Sequence, residues 1–138
     1  MKPYIAILTM LLLSFTANAQ TGAEARQLLK ANAAMLEKDY QQAASLYTQA
    51  LKARDLPQRY WLKAGIAHYE TGNYQQALDD LSQLRGQLRS EQYYWEAKCY
   101  AQLGDTEKAM EKIERHTENS RPYPQNKVAM DDAFIALA

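Results

Sequence analysis

Cysteine, histidine, glycine and proline are scarce in this chain of 138 residues, which contains 1, 2, 5 and 4 of them. The lone thiol, Cys99, cannot form an intrachain disulfide, so packing must supply the stability. The sequence also lacks an alternating apolar–polar run long enough to predict a strand. Apolar residues recur at helical spacing between the few glycines and prolines. These features predict an all-α fold.

An excess of charge of either sign is also missing. Lysine and arginine number 16, as do aspartate and glutamate, so the net charge is zero. This balance argues against a protein that neutralises a nucleic-acid backbone and against a polybasic membrane-surface protein.

Motifs typical of catalysis are absent as well. The sequence has no Gly-rich phosphate loop and no Gly-x-Ser-x-Gly elbow, and neither histidine has metal-ligand spacing. His68 is expected to be a packed side chain, and Cys99 a small buried one. The adjacent acids Asp79 and Asp80 do not face each other on a helix, so we expect them on a solvated face. We therefore expect no enzyme activity, no cofactor and no metal.

No apolar run reaches the roughly 20 residues that a membrane-spanning helix needs. A shorter one, Ile5 to Phe15, follows the basic Lys2 and precedes Ala17-Asn18-Ala19. That order predicts a signal peptide over 1–19. Cleavage after Ala19 would leave an exported, periplasmic or envelope-associated chain without a membrane span. The alternatives are a buried N-terminal helix and a retained anchor.

One short segment occurs almost twice. Residues 39–43 read Asp-Tyr-Gln-Gln-Ala and residues 73–77 read Asn-Tyr-Gln-Gln-Ala, 34 residues later. A weaker third copy begins at Gly104, which lies 32 residues after Gly72. A period of this length is typical of stacked helical pairs.

The repeats divide the chain into helices. Asp39 and Asn73, each followed three residues later by Gln, predict helix N-caps. Gly65 and Ala77 are expected where two helix backbones approach closely, and Trp61 where an aromatic ring fills the space between repeats. After six helices, a polar segment with two prolines precedes a seventh predicted helix, about 125–138, which is the candidate C-terminal cap.

The pattern of the middle repeat resembles the tetratricopeptide repeat family. The matching residues are Trp61, Ala64-Gly65, His68-Tyr69, Gly72-Asn73-Tyr74 and Ala77. The resemblance implies an α-solenoid over residues 20–138, with repeats at about 24–57, 58–89 and 90–121. In the first repeat Gln27 replaces the expected aromatic residue, so this repeat departs from the family pattern.

The resemblance also implies a binding surface, because in that family the first helix of each pair lines a concave groove. The groove residues implied here are Leu28, Asn32, Met35, Arg59, Leu62, Ile66, Tyr69, Glu70, Tyr94, Lys98 and Gln102. A surface that mixes apolar, aromatic and charged side chains suits a peptide or a helix of a protein partner. Leu28 and Leu62 stand where carboxylate-gripping members would have Lys or Asn, so that specificity is not expected.

The sequence therefore predicts a non-enzymatic protein-binding scaffold of the bacterial envelope, with no nucleic-acid partner. The alternative is an N-terminal adaptor of a larger envelope protein, an enzyme or a cell-wall-binding protein, because residues 133–138 are all apolar. The oligomeric state is left open.

Overall fold

The computed structural model describes residues 22–53 and 55–119. These residues form six α-helices, with no strand among them: α1 (22–36), α2 (Tyr40–Ala53), α3 (Gln58–Glu70), α4 (Tyr74–Leu81), α5 (Arg89–Gln102) and α6 (Thr106–Asn119), with a 3₁₀ turn at Gly86–Leu88. The predicted all-α fold of three helix pairs is confirmed. The predicted signal peptide, 1–19, and the predicted C-terminal helix, 125–138, lie outside the described residues.

The turn inside each pair requires a left-handed backbone residue. Gly72 and Gly104 take φ values of 78° and 77°, and Lys38 takes 60° at the same place in the first pair. Glycine adopts this conformation without the steric cost that a Cβ imposes. The first turn thus has the same geometry without its glycine, which is why the repeated segment is recognisable only from Asp39 onward.

Side-chain caps follow two of these three turns. Asp39 Oδ1 accepts a hydrogen bond from the Gln42 amide at 3.0 Å, and Asp105 Oδ1 accepts one from the Lys108 amide at 3.1 Å. Asn73 occupies the predicted N-cap position of α4, but the capping hydrogen bond expected from its side chain is not made. Asn73 Nδ2 instead donates to Thr71 Oγ1 at 3.0 Å. The carboxylates of Asp39 and Asp105 can only accept, so they bind the backbone N–H groups of the helix. The side-chain amide of Asn73 can also donate, and it donates to Thr71 instead.

The core includes two apolar clusters that each combine helices of neighbouring pairs. Tyr47 is fully buried in a cluster built from α1, α2 and α3, while Leu81 and Leu84 are fully buried in a second cluster with Cys99. Trp61 packs against both clusters. This confirms that Trp61 fills the space between neighbouring repeats, where a large ring supplies the apolar area that successive pairs bury together.

Gly65 marks the closest approach of α3 and α4. A Cβ at this position would lie 2.9 Å from Leu81 Cγ and 3.4 Å from the Ala77 carbonyl oxygen. Leu81 and Ala77 are both completely buried, so neither side can move away freely. The expectation that Gly65 and Ala77 are small because two backbones meet is confirmed.

A polar contact also ties the two helices of each pair. The contacts are Tyr47 Oη to Asn32 Oδ1 at 2.8 Å, His68 Nδ1 to Asp80 Oδ2 at 2.7 Å, and Lys112 Nζ to Glu96 Oε2 at 2.8 Å. The first two contacts are hydrogen bonds and the third is an ion pair. Together they fix the register of one helix against the other, which apolar packing alone specifies less sharply.

Asp80 corrects a prediction made from the sequence. It was expected with Asp79 on a solvated face, but only Asp79 is exposed, while Asp80 is 5% exposed. Its second oxygen accepts a hydrogen bond from Gln76 Nε2 at 3.2 Å. Both carboxylate oxygens therefore have partners inside the protein, which is what a buried carboxylate requires.

Candidate functional site

The first helices of the three pairs, α1, α3 and α5, lie side by side. Lys63 of α3 donates a hydrogen bond to Asn32 of α1. Tyr69 of α3 meets Trp95 of α5 edge to face, with ring centroids 5.4 Å apart. These contacts join the three helices into one layer, which is the surface that the sequence predicted as a binding groove.

The predicted groove residues differ in how far they reach the surface. Those that are exposed are Arg59, Glu70 and Gln102, and those that are half-buried are Asn32, Met35, Leu62, Ile66, Tyr69 and Lys98. Leu28 and Tyr94 are buried. As a set, the groove residues stay a prediction, but the structure makes the nine accessible ones better candidates for direct contact.

The two buried members serve the core. Leu28 belongs to the first apolar cluster. The Tyr94 ring packs against Trp95 and against the imidazole of His116 on α6, with centroids 5.6 Å and 5.5 Å away. Tyr94 is 6% exposed, so it supports the floor of the layer rather than its surface.

A lysine stacked among aromatic rings lies where α3 and α5 meet. Lys98 Nζ is 4.6 Å from the ring centroid of Trp95, 4.8 Å from that of Tyr69 and 5.7 Å from that of Tyr94. We call Tyr69, Trp95 and Lys98, all half-buried, the aromatic–lysine cluster. Each such contact contributes about 0.5–1 kcal/mol at an exposed site, so the three rings hold the ammonium group in place.

Trp95 was not among the predicted groove residues. The repeat pattern assigned its neighbour Tyr94 to the groove, whereas the structure buries Tyr94 and leaves Trp95 half-buried beside Lys98. Trp95 precedes Lys98 by three positions, which places both on one helix face. That spacing was the available evidence for the cluster.

Two more cationic side chains of this layer lie over an aromatic ring. Arg59 lies over the Tyr60 ring at 5.0 Å, and Lys63 lies over the same ring at 5.8 Å. With Lys98, these residues give α3 and α5 three cationic groups that are stacked on aromatic rings. Glu70 stands at the end of α3 as an exposed acidic group on the same helix.

Comparison with known proteins agrees with this architecture. The family model described as "Tetratricopeptide repeat" matches residues 28–91, which include Trp61, Gly65 and both copies of the repeated segment. Over these residues the chain matches the tetratricopeptide repeat family. No curated protein matches its sequence significantly.

Solved structures of tetratricopeptide repeat proteins share the fold. PcrH, crystallised in complex with the chaperone binding region of PopB, is 18% identical with a TM-score of 0.65, covering 85% of this chain and 95% of its own. The Sgt2 TPR domain from Aspergillus fumigatus is 22% identical with a TM-score of 0.60, covering 83% of this chain and 73% of its own. At these identities the likeness shows the fold alone.

Both histidines are used in packing. His116 is buried, and its Nδ1 lies 2.9 Å from the Ser90 carbonyl oxygen and 3.1 Å from the Ser90 hydroxyl. His68 is buried against Asp80, as described above. Among the residues that the structure describes, no group of three His, Cys, Asp or Glu side chains could hold a metal ion. Within the same ranges no helix is long and apolar enough to cross a membrane.

Cys99 is fully buried on α5, as expected for a small apolar residue. Burial raises the pKa of the thiol to about 12, with Glu96 adding to the effect. Since the thiolate is the nucleophile, we expect native Cys99 to react with a disulfide reagent near pH 8 more than about a thousandfold more slowly than the unfolded chain does. Stopped-flow labelling with and without urea measures this ratio. Equal rates in the two states would show that Cys99 is accessible.

Proposed function

We propose that this chain is a non-catalytic module that binds a peptide or helix of a partner protein along the layer of α1, α3 and α5. The family and the fold support a protein–protein interaction module in general terms. PcrH, which shares the fold, was crystallised with a region of another protein. The binding surface in the present chain is inferred from its own residues.

The observation that carries the proposal is the aromatic–lysine cluster. Two rings, Tyr69 and Trp95, are held edge to face on two different helices, and Lys98 is stacked against both. Tyrosine and tryptophan are among the residues that contribute most to binding at protein interfaces. Because each ring is already fixed by its neighbours, binding costs little side-chain entropy.

The rest of the layer extends this cluster into a longer surface. Ile66 and Leu62 supply half-buried apolar positions on α3, and Arg59 supplies an exposed cation at the start of that helix. The spacing along α3 suits a segment that places apolar side chains against the layer and acidic groups beside its cations. We infer that the partner segment is apolar with at least one acidic side chain.

We also propose that the protein works in the bacterial envelope, on the periplasmic side. The support is the order of a basic start, an apolar run and Ala17-Asn18-Ala19 in the sequence. An adaptor role at the N-terminal end of a larger envelope protein would use the same surface. Cell fractionation and the N-terminal mass of the purified protein test this location: recovery of Met1 on cytoplasmic protein would contradict it.

The groove proposal is tested with selected peptides. Peptides that bind the purified protein are chosen from a random display library, and their affinities are measured by fluorescence anisotropy. We expect Lys98→Glu to weaken the selected peptides by at least about tenfold, because it removes a cation and places an anion among the rings. Lys52→Glu, on the exposed side of α2, is the matched charge reversal and should leave the affinities unchanged.

Intrinsic fluorescence gives an independent readout of the same site. The sequence has two tryptophans, so a Trp61→Phe background isolates Trp95. Peptide binding should change the emission of Trp95 in proportion to occupancy. Peptides that bind without affecting Trp95, and with equal affinity for the Lys98→Glu variant, would show that the layer is not the binding surface.

A further inference from the structure

Helix α1 presents a stripe of apolar side chains to solvent. Leu29 is 67% exposed and Leu36 is 86% exposed, and Ala33 between them is exposed as well. Spacings of four and three residues put all three on one face of the helix. The opposite face carries Leu28, Ala31 and Ala34, which are buried in the core. The stripe is therefore a second apolar face, which a helix of a single small domain does not need.

Helix α3, the first helix of the second pair, shows how such a face is used. Ala64 and Ala67 of α3 are completely buried, and both belong to the cluster formed with α1 and α2. The residues 34 positions earlier, Lys30 and Ala33, are exposed on α1. The face that α3 packs against the preceding pair is thus exposed on α1, the first helix that the structure describes.

The spacing of the stripe allows it to pair with the same stripe of a second copy of the chain. If two α1 helices pack antiparallel about a two-fold axis, Leu29 of one copy lies opposite the partner's Leu36, and the reverse pair forms by symmetry. Ala33 then lies near the axis, where a small side chain lets the two backbones approach. The stripe is self-complementary, as an interface between identical surfaces requires.

The charges beside the stripe fit the same arrangement. Arg26 and Lys30 lie on one flank of α1, and Glu37 lies on that flank at the far end. In the antiparallel pair each flank meets the same flank of the other copy. Along the helix axis, the partner's Glu37 then lies between Arg26 and Lys30. The two-fold axis repeats this contact, so the interface has two sets of opposite charges. In a parallel two-fold pair each flank would instead meet the opposite flank of the other copy, so Glu37 would not meet Arg26 and Lys30.

We propose that α1 forms a two-fold homodimer interface, with Leu29, Ala33 and Leu36 as its apolar centre and Glu37 paired across it with Arg26 and Lys30. One pair of short helices buries less area than the roughly 1,200–2,000 Å² of a stable interface. The dimer is therefore weak and depends on protein concentration.

Sedimentation velocity tests the proposal on protein expressed from the whole coding sequence, with its N-terminus determined by mass spectrometry. We expect the average mass to rise from monomer toward dimer between about 1 and 200 μM. Leu36→Glu should weaken the association by at least about tenfold, because it places a carboxylate in the apolar centre. Leu36 is exposed in the single chain, so the thermal melting curve at low concentration should not change. Met110→Glu, a change at an exposed apolar residue of α6, is the control and should dimerise normally.

Charge reversal tests the register. Glu37→Lys alone should weaken the dimer, and combining it with Arg26→Glu and Lys30→Glu should restore it, because the opposite charges meet again. A protein that stays monomeric at every concentration overturns the proposal, as does a dimer that Leu36→Glu leaves intact. If removal of the residues before Gly22 converts a monomer into a dimer, the stripe is covered by the chain's own N-terminal residues, and the proposal is equally overturned.

Discussion

Replacing Asp80 with alanine should destabilise the protein by about 2–4 kcal/mol, because it leaves buried polar groups without their partner. Asp80 binds His68 Nδ1 at 2.7 Å and Gln76 Nε2 at 3.2 Å. Its loss removes a polar contact between α3 and α4 of the middle pair. Both neighbouring pairs pack against this middle pair. Urea unfolding followed by circular dichroism measures the change in the free energy of unfolding.

Asp79 offers a matched control in the adjacent position. It has the same side chain on the same helix, but it is exposed. Asp79→Ala should change the free energy of unfolding by no more than about 0.5 kcal/mol. If the two variants were equally stable, the His68–Asp80 contact would contribute nothing to the fold, and the tie between α3 and α4 would be purely apolar.

Leu81→Ala should cost about 2–5 kcal/mol, because it opens a cavity at the point where α3 and α4 are closest. Leu81 is completely buried, and the side chain packs directly against the backbone of Gly65. Gly65→Val should cost about 1–3 kcal/mol for the opposite reason, since a Cβ there would lie 2.9 Å from Leu81 Cγ. Both changes are measured by the same unfolding experiment.

The combination of these two changes is more informative than either one alone. In the double variant the valine enters the space that leucine has left, so the total cost should be below the sum of the single costs by about 0.5–3 kcal/mol. A strictly additive result would mean that residues 65 and 81 do not share one packing site. A combination of Gly65→Val with Asp79→Ala, whose side chain is exposed, should be additive.

Much of the fold was predictable because its turns depend on local chemistry. The left-handed backbone at Gly72 and Gly104 and the carboxylate cap at Asp39 involve residues only a few positions apart. Turns and caps of this kind depend on residues within one short segment, so they can be predicted from the sequence of that segment. Their recurrence near a period of 34 residues then indicated stacked helix pairs before any contact was known.

The errors concern residues whose partners are distant in the sequence or compete nearby. Asn73 fits the cap pattern, yet Thr71 binds its amide. Asp80 looks like half of a solvated acidic pair, yet His68 lies twelve positions earlier on the facing helix. Trp95 was missed because its role depends on Tyr69, which only the stacking of α3 on α5 brings within contact.

The sequence alone determined the helical class, the three pairs and the resemblance to tetratricopeptide repeats, because helix periodicity, turn residues and small residues at close contacts recur along the chain. The tertiary structure decided which side chains of the first helices are accessible. It buried Leu28 and Tyr94, left Trp95 and Lys98 at the surface of the groove layer, and left Leu29 and Leu36 uncovered on α1. The physical reason is that burial depends on what packs against a residue from other helices, and these neighbours come from segments that no local pattern identifies.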